Sequence, residues 1–243
     1  MKGFDRPLKP SWIYEYIKAV NIGDKFSNHK DDLNMILSEL EGRAGKRKVR
    51  TVLSRYFLKK KSNPRSREVE YTPIIELCKK YPLNKIKPLL LYFLLIRSQL
   101  LRELTKVIQN IYGFKKPINQ TFLRKKIVEK YGDRDISTRS MNNFLNTLKF
   151  FGILDKSNNN KYVWKERMKV DEFNACYMLK FYAEEYKNSE KIILDNLESY
   201  LFFYFQMPNM IDLARKHNNI LWEYSSRLGQ RSLIINNTYK WKD

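Results

Sequence analysis

The chain has 243 residues, with 47 Lys and Arg against 26 Asp and Glu, a formal net charge of +21. Its 43% hydrophobic and 30% charged content describes a globular protein with a real core and excludes a disordered one. So large a cationic excess costs self-repulsion unless a polyanion shares the surface; an anionic membrane, or a proteome rich in Lys and Asn, are the competing explanations.

In chain order, Met1 to Pro10 reads as a loose arm that lacks the apolar stretch of a secretory signal. Ser11 caps a helix that turns Trp12, Ile13, Tyr16, Ile17 and Val20 inward, and Gly23 closes it. A second helix runs from Asp31 or Asp32 to Leu40, and a third from Lys48 to Lys60 buries Val49, Val52, Leu53, Tyr56 and Phe57. Thr72-Pro73 opens a short helix that Pro82 stops. Pro88 then opens the longest helix, to Tyr112, which forms a buried spine. Its most apolar run, Leu89 to Ile96, is closed by Arg97 and falls far short of the ~20 residues that cross a bilayer. No membrane partner is expected, and the expected location is the cytoplasm. Cys78 and Cys176 stand far apart without metal-ligand spacing, as buried thiols do in a reducing compartment.

The stretch from Ile118 to Trp164 has the order of a winged helix-turn-helix. Asn119-Gln120-Thr121 caps a first helix with Phe122, Leu123, Ile127, Val128 and Tyr131 inward, and Gly132 to Asp135 makes the turn. Ser137 or Thr138 caps the second helix, whose inner stripe is Met141, Phe144, Leu145, Leu148 and Phe151. Opposite that stripe fall Arg139, Asn142, Asn143, Asn146 and Lys149, residue types that hydrogen-bond base edges and phosphates. Phe150 shares the polar side, so it is either covered by another segment or touches a partner. Ile153-Leu154 and Tyr162 to Trp164 are β-prone, and the polar loop between them carries Lys156 and Lys161 where a wing meets phosphate. A winged helix used only for protein contacts has the same pattern.

After the wing, Asp171 begins a helix, Ser189 caps another that runs to Phe205, Pro208 begins a short one, and Leu221 to Leu228 continues it. Ser232 to Asn236 is the one β-like run there. The expected fold is therefore mainly α: an N-terminal helical bundle (1–87), a long helix plus a central winged helix-turn-helix with a short β-hairpin wing (88–167), and C-terminal helices (168–243). No Gly/Ser-rich linker separates these parts.

Charge is distributed unevenly along this frame. From Arg43 to Arg67 there are eleven basic residues and no acidic one. Lys46, Arg47, Lys48, Arg50, Arg55 and Lys59 form a ridge suited to a nucleic-acid backbone, or else a merely solvated surface. Residues 170–212 reverse the sign, with eight carboxylates against three lysines among many aromatics, a poorer surface for nucleic acid and a better one for protein.

Nothing in the sequence makes a catalytic grouping. His29 and His217 lie in different segments, without a Cys or carboxylate at ligand spacing. No zinc-protease, nucleophile-elbow or Walker motif occurs. Asp133, Asp135 and Asp155 cluster in sequence near the second helix, but turn and cap roles explain them. No enzyme activity, metal, cofactor or small-molecule substrate is expected.

Three segments, Leu94 to Leu104, Ile136-Ser137-Thr138-Arg139-Ser140-Met141 and the helix exit Leu148 to Leu154, resemble the BrxA family of BREX phage-defence systems over about half the chain. The resemblance implies a helical bundle followed by a winged helix in a non-enzymatic DNA-binding component, acting beside methyltransferase and ATPase partners. It carries over no catalytic residue. The expected function is thus an accessory protein that binds double-stranded DNA, with a protein-interaction scaffold or an RNA-binding protein as the alternatives.

Overall fold

A computed structural model describes residues 3–25, 29–58, 68–132, 135–157, 160–227 and 229–235, and they are mainly helical. The chain divides into two compact units, Met1–Glu166 and Arg167–Asp243.

The first unit opens with α1 (Pro10–Ala19), α2 (Lys30–Ile36) and α3 (Arg43–Leu53). The last of these runs on as a π turn, Ser54–Leu58. Three consecutive residues of that turn, Tyr56, Phe57 and Leu58, are all buried. An α-helix would spread them over more than half its circumference; the smaller rotation per residue of an i→i+5 turn narrows that arc. Thr72 Oγ1 donates to the Phe57 carbonyl at 2.7 Å, which satisfies one of the acceptors at the helix end. Next come α4 (Pro73–Lys80), α5 (Leu83–Arg97) and α6 (Gln99–Tyr112). In α5 every residue from Pro88 to Ile96 is buried, and α1, α4 and the π turn pack around it. Each Leu there contributes about 1.5–3 kcal/mol by leaving water.

Two expectations fail here for identifiable reasons. The long helix does not begin at Pro88, which lies inside α5, and it does not continue unbroken to Tyr112. Ser98 adopts an extended conformation and its Oγ accepts from Leu101 N, capping α6. The Arg102 guanidinium folds back to donate to the Ile96 and Leu95 carbonyls at the end of α5. A helix end that finds both its caps nearby breaks at little cost. Nor is the N-terminal segment a loose arm. Phe4 and Leu8 are fully buried, and α1 starts with Pro10 at its first position rather than behind Ser11.

The unit ends with β1 (Ile118–Asn119), α7 (Gln120–Tyr131), α8 (Asp135–Phe150), β2 (Leu154–Ser157) and β3 (Lys161–Trp164). The strands form an antiparallel sheet in the order β1-β3-β2, with Ile118 opposite Tyr162 and Leu154 opposite Trp164. Asn119 caps α7 by accepting from Phe122 N at 2.9 Å. Helix α8 starts earlier than expected, and Ser137 is a buried residue within it rather than its cap. Gly152, at φ +84°, lets the chain leave α8 towards β2.

The second unit contains β4 (Met168–Lys169), α9 (Glu172–Phe181), β5 (Lys191–Ile193), β6 (Phe205–Gln206), α10 (Met210–Lys216), β7 (Trp222–Arg227) and β8 (Gln230–Ile235). Asp171 caps α9, as its position in the sequence suggests, by accepting from Asn174 N at 2.9 Å. The expected helices from Ser189 and from Leu221 do not form. Ile192-Ile193 pair as a strand with β8, and Trp222 and Tyr224 lie opposite Ile235 and Leu233 in β7. Alternation at period two, stabilised by these cross-strand pairs, outweighs helix propensity. The sheet order is β5-β8-β7, antiparallel throughout, while β4 and β6 pair in parallel. Among the described residues no helix is long and apolar enough to cross a membrane.

Candidate nucleic-acid interface

Helix α8 buries Met141, Phe144, Leu145 and Leu148, and at 100° per residue its outer stripe reads Lys149, Asn142, Asn146, Arg139, Phe150, Asn143 around the axis. Arg139 and Lys149 are exposed, whereas the three asparagines are half-buried. Each asparagine has an intramolecular partner. Asn142 Oδ1 accepts from Gln120 Nε2 at 2.8 Å, and Asn146 Oδ1 accepts from the Tyr162 hydroxyl at 3.2 Å. Asn143 Nδ2 donates to the Phe4 carbonyl at 2.8 Å. Arg139 pairs with Asp135 one turn earlier. Along the stripe Arg139, Lys149 and Phe150 are thus open to solvent, while the three asparagines are tied to other segments.

One flank is held by the N-terminal segment. Phe4 N donates to Ser140 Oγ at 2.8 Å and Leu8 N donates to Thr147 Oγ1 at 3.0 Å, so residues 4–8 run beside two turns of α8. Gly3 lies against Ile136, where a Cβ would fall 2.5 Å from the Ile136 side chain, so a larger residue would have to push that side chain aside. At the other end Lys9 sits over the Phe150 ring, 5.4 Å from its centroid, and partly covers that aromatic.

The other flank meets the hairpin. Lys156 lies opposite Tyr162 and Lys161 opposite Ser157, one step along the strand, so the two lysines project from opposite faces of the sheet. Lys156 shares the face of Tyr162, whose hydroxyl reaches α8, and Lys161 shares the face of Val163 and Asp155. The loop between the lysines includes 158–159, which lie outside the described residues. Lys165, hydrogen-bonded to Asp155, holds that carboxyl below the usual carboxylate range, and the charge of Lys149 adds to the effect. A carboxylate thus stands close to the C-terminal end of the stripe.

The basic ridge divides differently from its pattern in the sequence. Arg43, Arg47 and Lys48 are exposed on α3, and no carboxylate among the described residues pairs with them. Lys46 and Arg50 are half-buried, and Lys46 Nζ donates to the Asn34 carbonyl at 3.2 Å. Arg55 leaves the ridge altogether: the π turn aims its guanidinium at the Gly3 carbonyl, 2.7 Å away. Lys59 lies outside the described residues.

Ser140, Thr147, Gln120 and Tyr162, which fix the stripe, were not apparent as site-forming residues in the sequence. The spacing of Ser140, Asn143 and Thr147 along one side of α8 is the signal that marks a polar seam beside the apolar one.

Elsewhere, burial pushes the thiols of Cys78 and Cys176 up to about 12, which removes them as nucleophiles. His29 does have carboxylate neighbours, contrary to the sequence reading: its Nε2 is 2.8 Å from Asp24 Oδ2 and its Nδ1 3.3 Å from Asp32 Oδ2. Among the described residues no group of His, Cys, Asp and Glu could hold a metal ion. Compared with known proteins, the chain matches no family model, no curated protein and no solved structure.

Proposed function

We propose that the protein binds double-stranded DNA through a winged-helix arrangement and performs no chemistry on it. In this reading α7 and α8 are the helix-turn-helix, β2 and β3 the wing, and Arg139, Asn142, Asn146 and Lys149 face the major groove. Lys156 reaches the backbone from the wing, and Arg43, Arg47 and Lys48 on α3 extend the footprint. The observation that carries the reading is the set of three exposed cations on α3 without a described carboxylate partner, in the same compact unit as the open polar stripe of α8. Unneutralised cations are the ones that release condensed counterions when they meet phosphate. The half-buried Asn142 and Asn146 hold their side-chain oxygens in intramolecular bonds, which restrains their approach to a base edge and favours backbone contacts over base contacts.

The resemblance to the BrxA family supports placing this DNA binding in a cytoplasmic phage-defence complex with further protein partners. A scaffold reading is favoured by one feature, the exposed apolar pair Ile136 and Phe150 on the outer side of α8. Charge reversal of Arg139 and Lys149 separates the readings. It should weaken duplex binding and flatten its salt dependence; unchanged affinity and slope, with a protein partner retained, would favour the scaffold.

A further inference from the structure

We propose that Arg6 joins Lys48 of α3 to the α8 stripe, so that they form one phosphate-binding surface for duplex DNA, with a backbone phosphate held at Arg6 between them. This inference rests on the DNA-binding reading above. The N-terminal segment touches both elements. Its backbone is bonded to Ser140 and Thr147 of α8, while its Gly3 carbonyl accepts from Arg55 beyond the end of α3. Between its buried anchors, Phe4 and Leu8, the Arg6 side chain is exposed. Its guanidinium reaches the first turn of α3, 3.9 Å from where a Cβ on Gly45 would sit. At about 100° per residue Gly45 lies about 60° round α3 from Lys48 and about 160° from Arg43 and Arg47, so the guanidinium lies on the side of the helix that carries Lys48.

Three further points favour phosphate as the ligand. No carboxylate among the described residues pairs with Arg6; the adjacent Asp5 carboxylate lies instead 3.2 Å from where a Gly3 Cβ would sit. Pro7 confines the Arg6 backbone to extended conformations, so less freedom is lost when the side chain is engaged. A guanidinium also binds phosphate oxygens in a bidentate fork that an ammonium cannot form. Arg55, occupied by a backbone carbonyl, cannot serve in its place.

The test is fluorescence anisotropy of a labelled duplex DNA, titrated with the full-length protein at several salt concentrations. The parent is compared with Arg6→Ala, Arg6→Lys and Gly45→Glu, and thermal unfolding of each is measured in parallel. Loss of one phosphate contact should lower the slope of log K against log salt by about 0.9 in Arg6→Ala. Arg6→Lys should keep that slope. Gly45→Glu, which sets a carboxylate beside an intact Arg6, should reproduce the loss, with unfolding midpoints unchanged in the two Arg6 variants and not lowered in Gly45→Glu. A parent that binds DNA with a slope indifferent to Arg6→Ala and Gly45→Glu overturns the bridge and leaves the DNA-binding reading standing. A parent that does not bind duplex DNA overturns the reading beneath it. An affinity loss in Arg6→Ala matched by a lowered midpoint, and not repaired by Arg6→Lys, would make Arg6 a structural residue and overturn the bridge as well.

Discussion

The Tyr162 hydroxyl donates to Asn146 Oδ1 at 3.2 Å, and this bond fastens the hairpin to the outer stripe of α8. Tyr162 is only 1% exposed, so its ring is core while its hydroxyl reaches the stripe. Tyr162→Phe keeps the packing and removes the donor, a change worth about 1 kcal/mol. For a chain of this size the unfolding midpoint should fall by about 2–4 °C. Calorimetry showing no shift would mean that the bond contributes nothing.

The N-terminal segment should behave as core. Phe4→Ala removes a fully buried ring packed 6.2 Å from Tyr56 and should cost about 3–5 kcal/mol. Thr147→Val deletes the acceptor for Leu8 N and leaves a buried donor unpaired, at about 1–3 kcal/mol. Urea unfolding measures both; values near zero would return the segment to the status of a loose arm.

Acid should loosen the sheet of the second unit. Arg231, hydrogen-bonded to Asp195 through its side chain and its backbone N–H, holds the Asp195 carboxyl below the usual range. A depressed folded pKa stabilises above the unfolded value of about 3.9. That stability is lost as pH falls through the folded value, while Arg231 stays charged throughout. The midpoint of the parent should therefore drop more steeply than that of Asp195→Asn as pH is lowered from about 5, and the two curves should converge in strong acid. Parallel curves would show that the pair is thermodynamically silent, as many exposed pairs are.

Cys78 and Cys176, each with a thiol pushed up to about 12 by burial, should resist alkylation in the folded protein at pH 8 and react at once in denaturant. Mass spectrometry of iodoacetamide-treated native protein reads this directly, and rapid native labelling of either residue would contradict its burial.

Where inner stripes repeat at helical spacing, as in α1, α3 and α8, the sequence carries enough local information to find the buried face, although α3 begins at Arg43 rather than at the expected Lys48. Bonds between distant segments leave no such trace. Ser140 and Thr147 look like ordinary helix residues until Phe4 and Leu8, more than a hundred positions away, come to lie beside them. The same holds for the diversion of Arg55 to the Gly3 carbonyl, which no local pattern announces. Leu221 to Leu228 was misread because aromatic and polar residues in a run of eight satisfy both periods, and only pairing with Leu233 and Ile235 decides between them. The stripe on α8 was legible as a face, but its asparagines were not legible as bonded groups.

The most direct measurement is the affinity of the full-length protein for duplex DNA across a salt series. If Arg43, Arg47, Lys48, Arg139, Lys149 and Lys156 each meet a phosphate, log K should fall against log salt with a slope of about −5. Binding that is absent at low salt, or that is insensitive to salt, would contradict a polyanion-binding role for this surface.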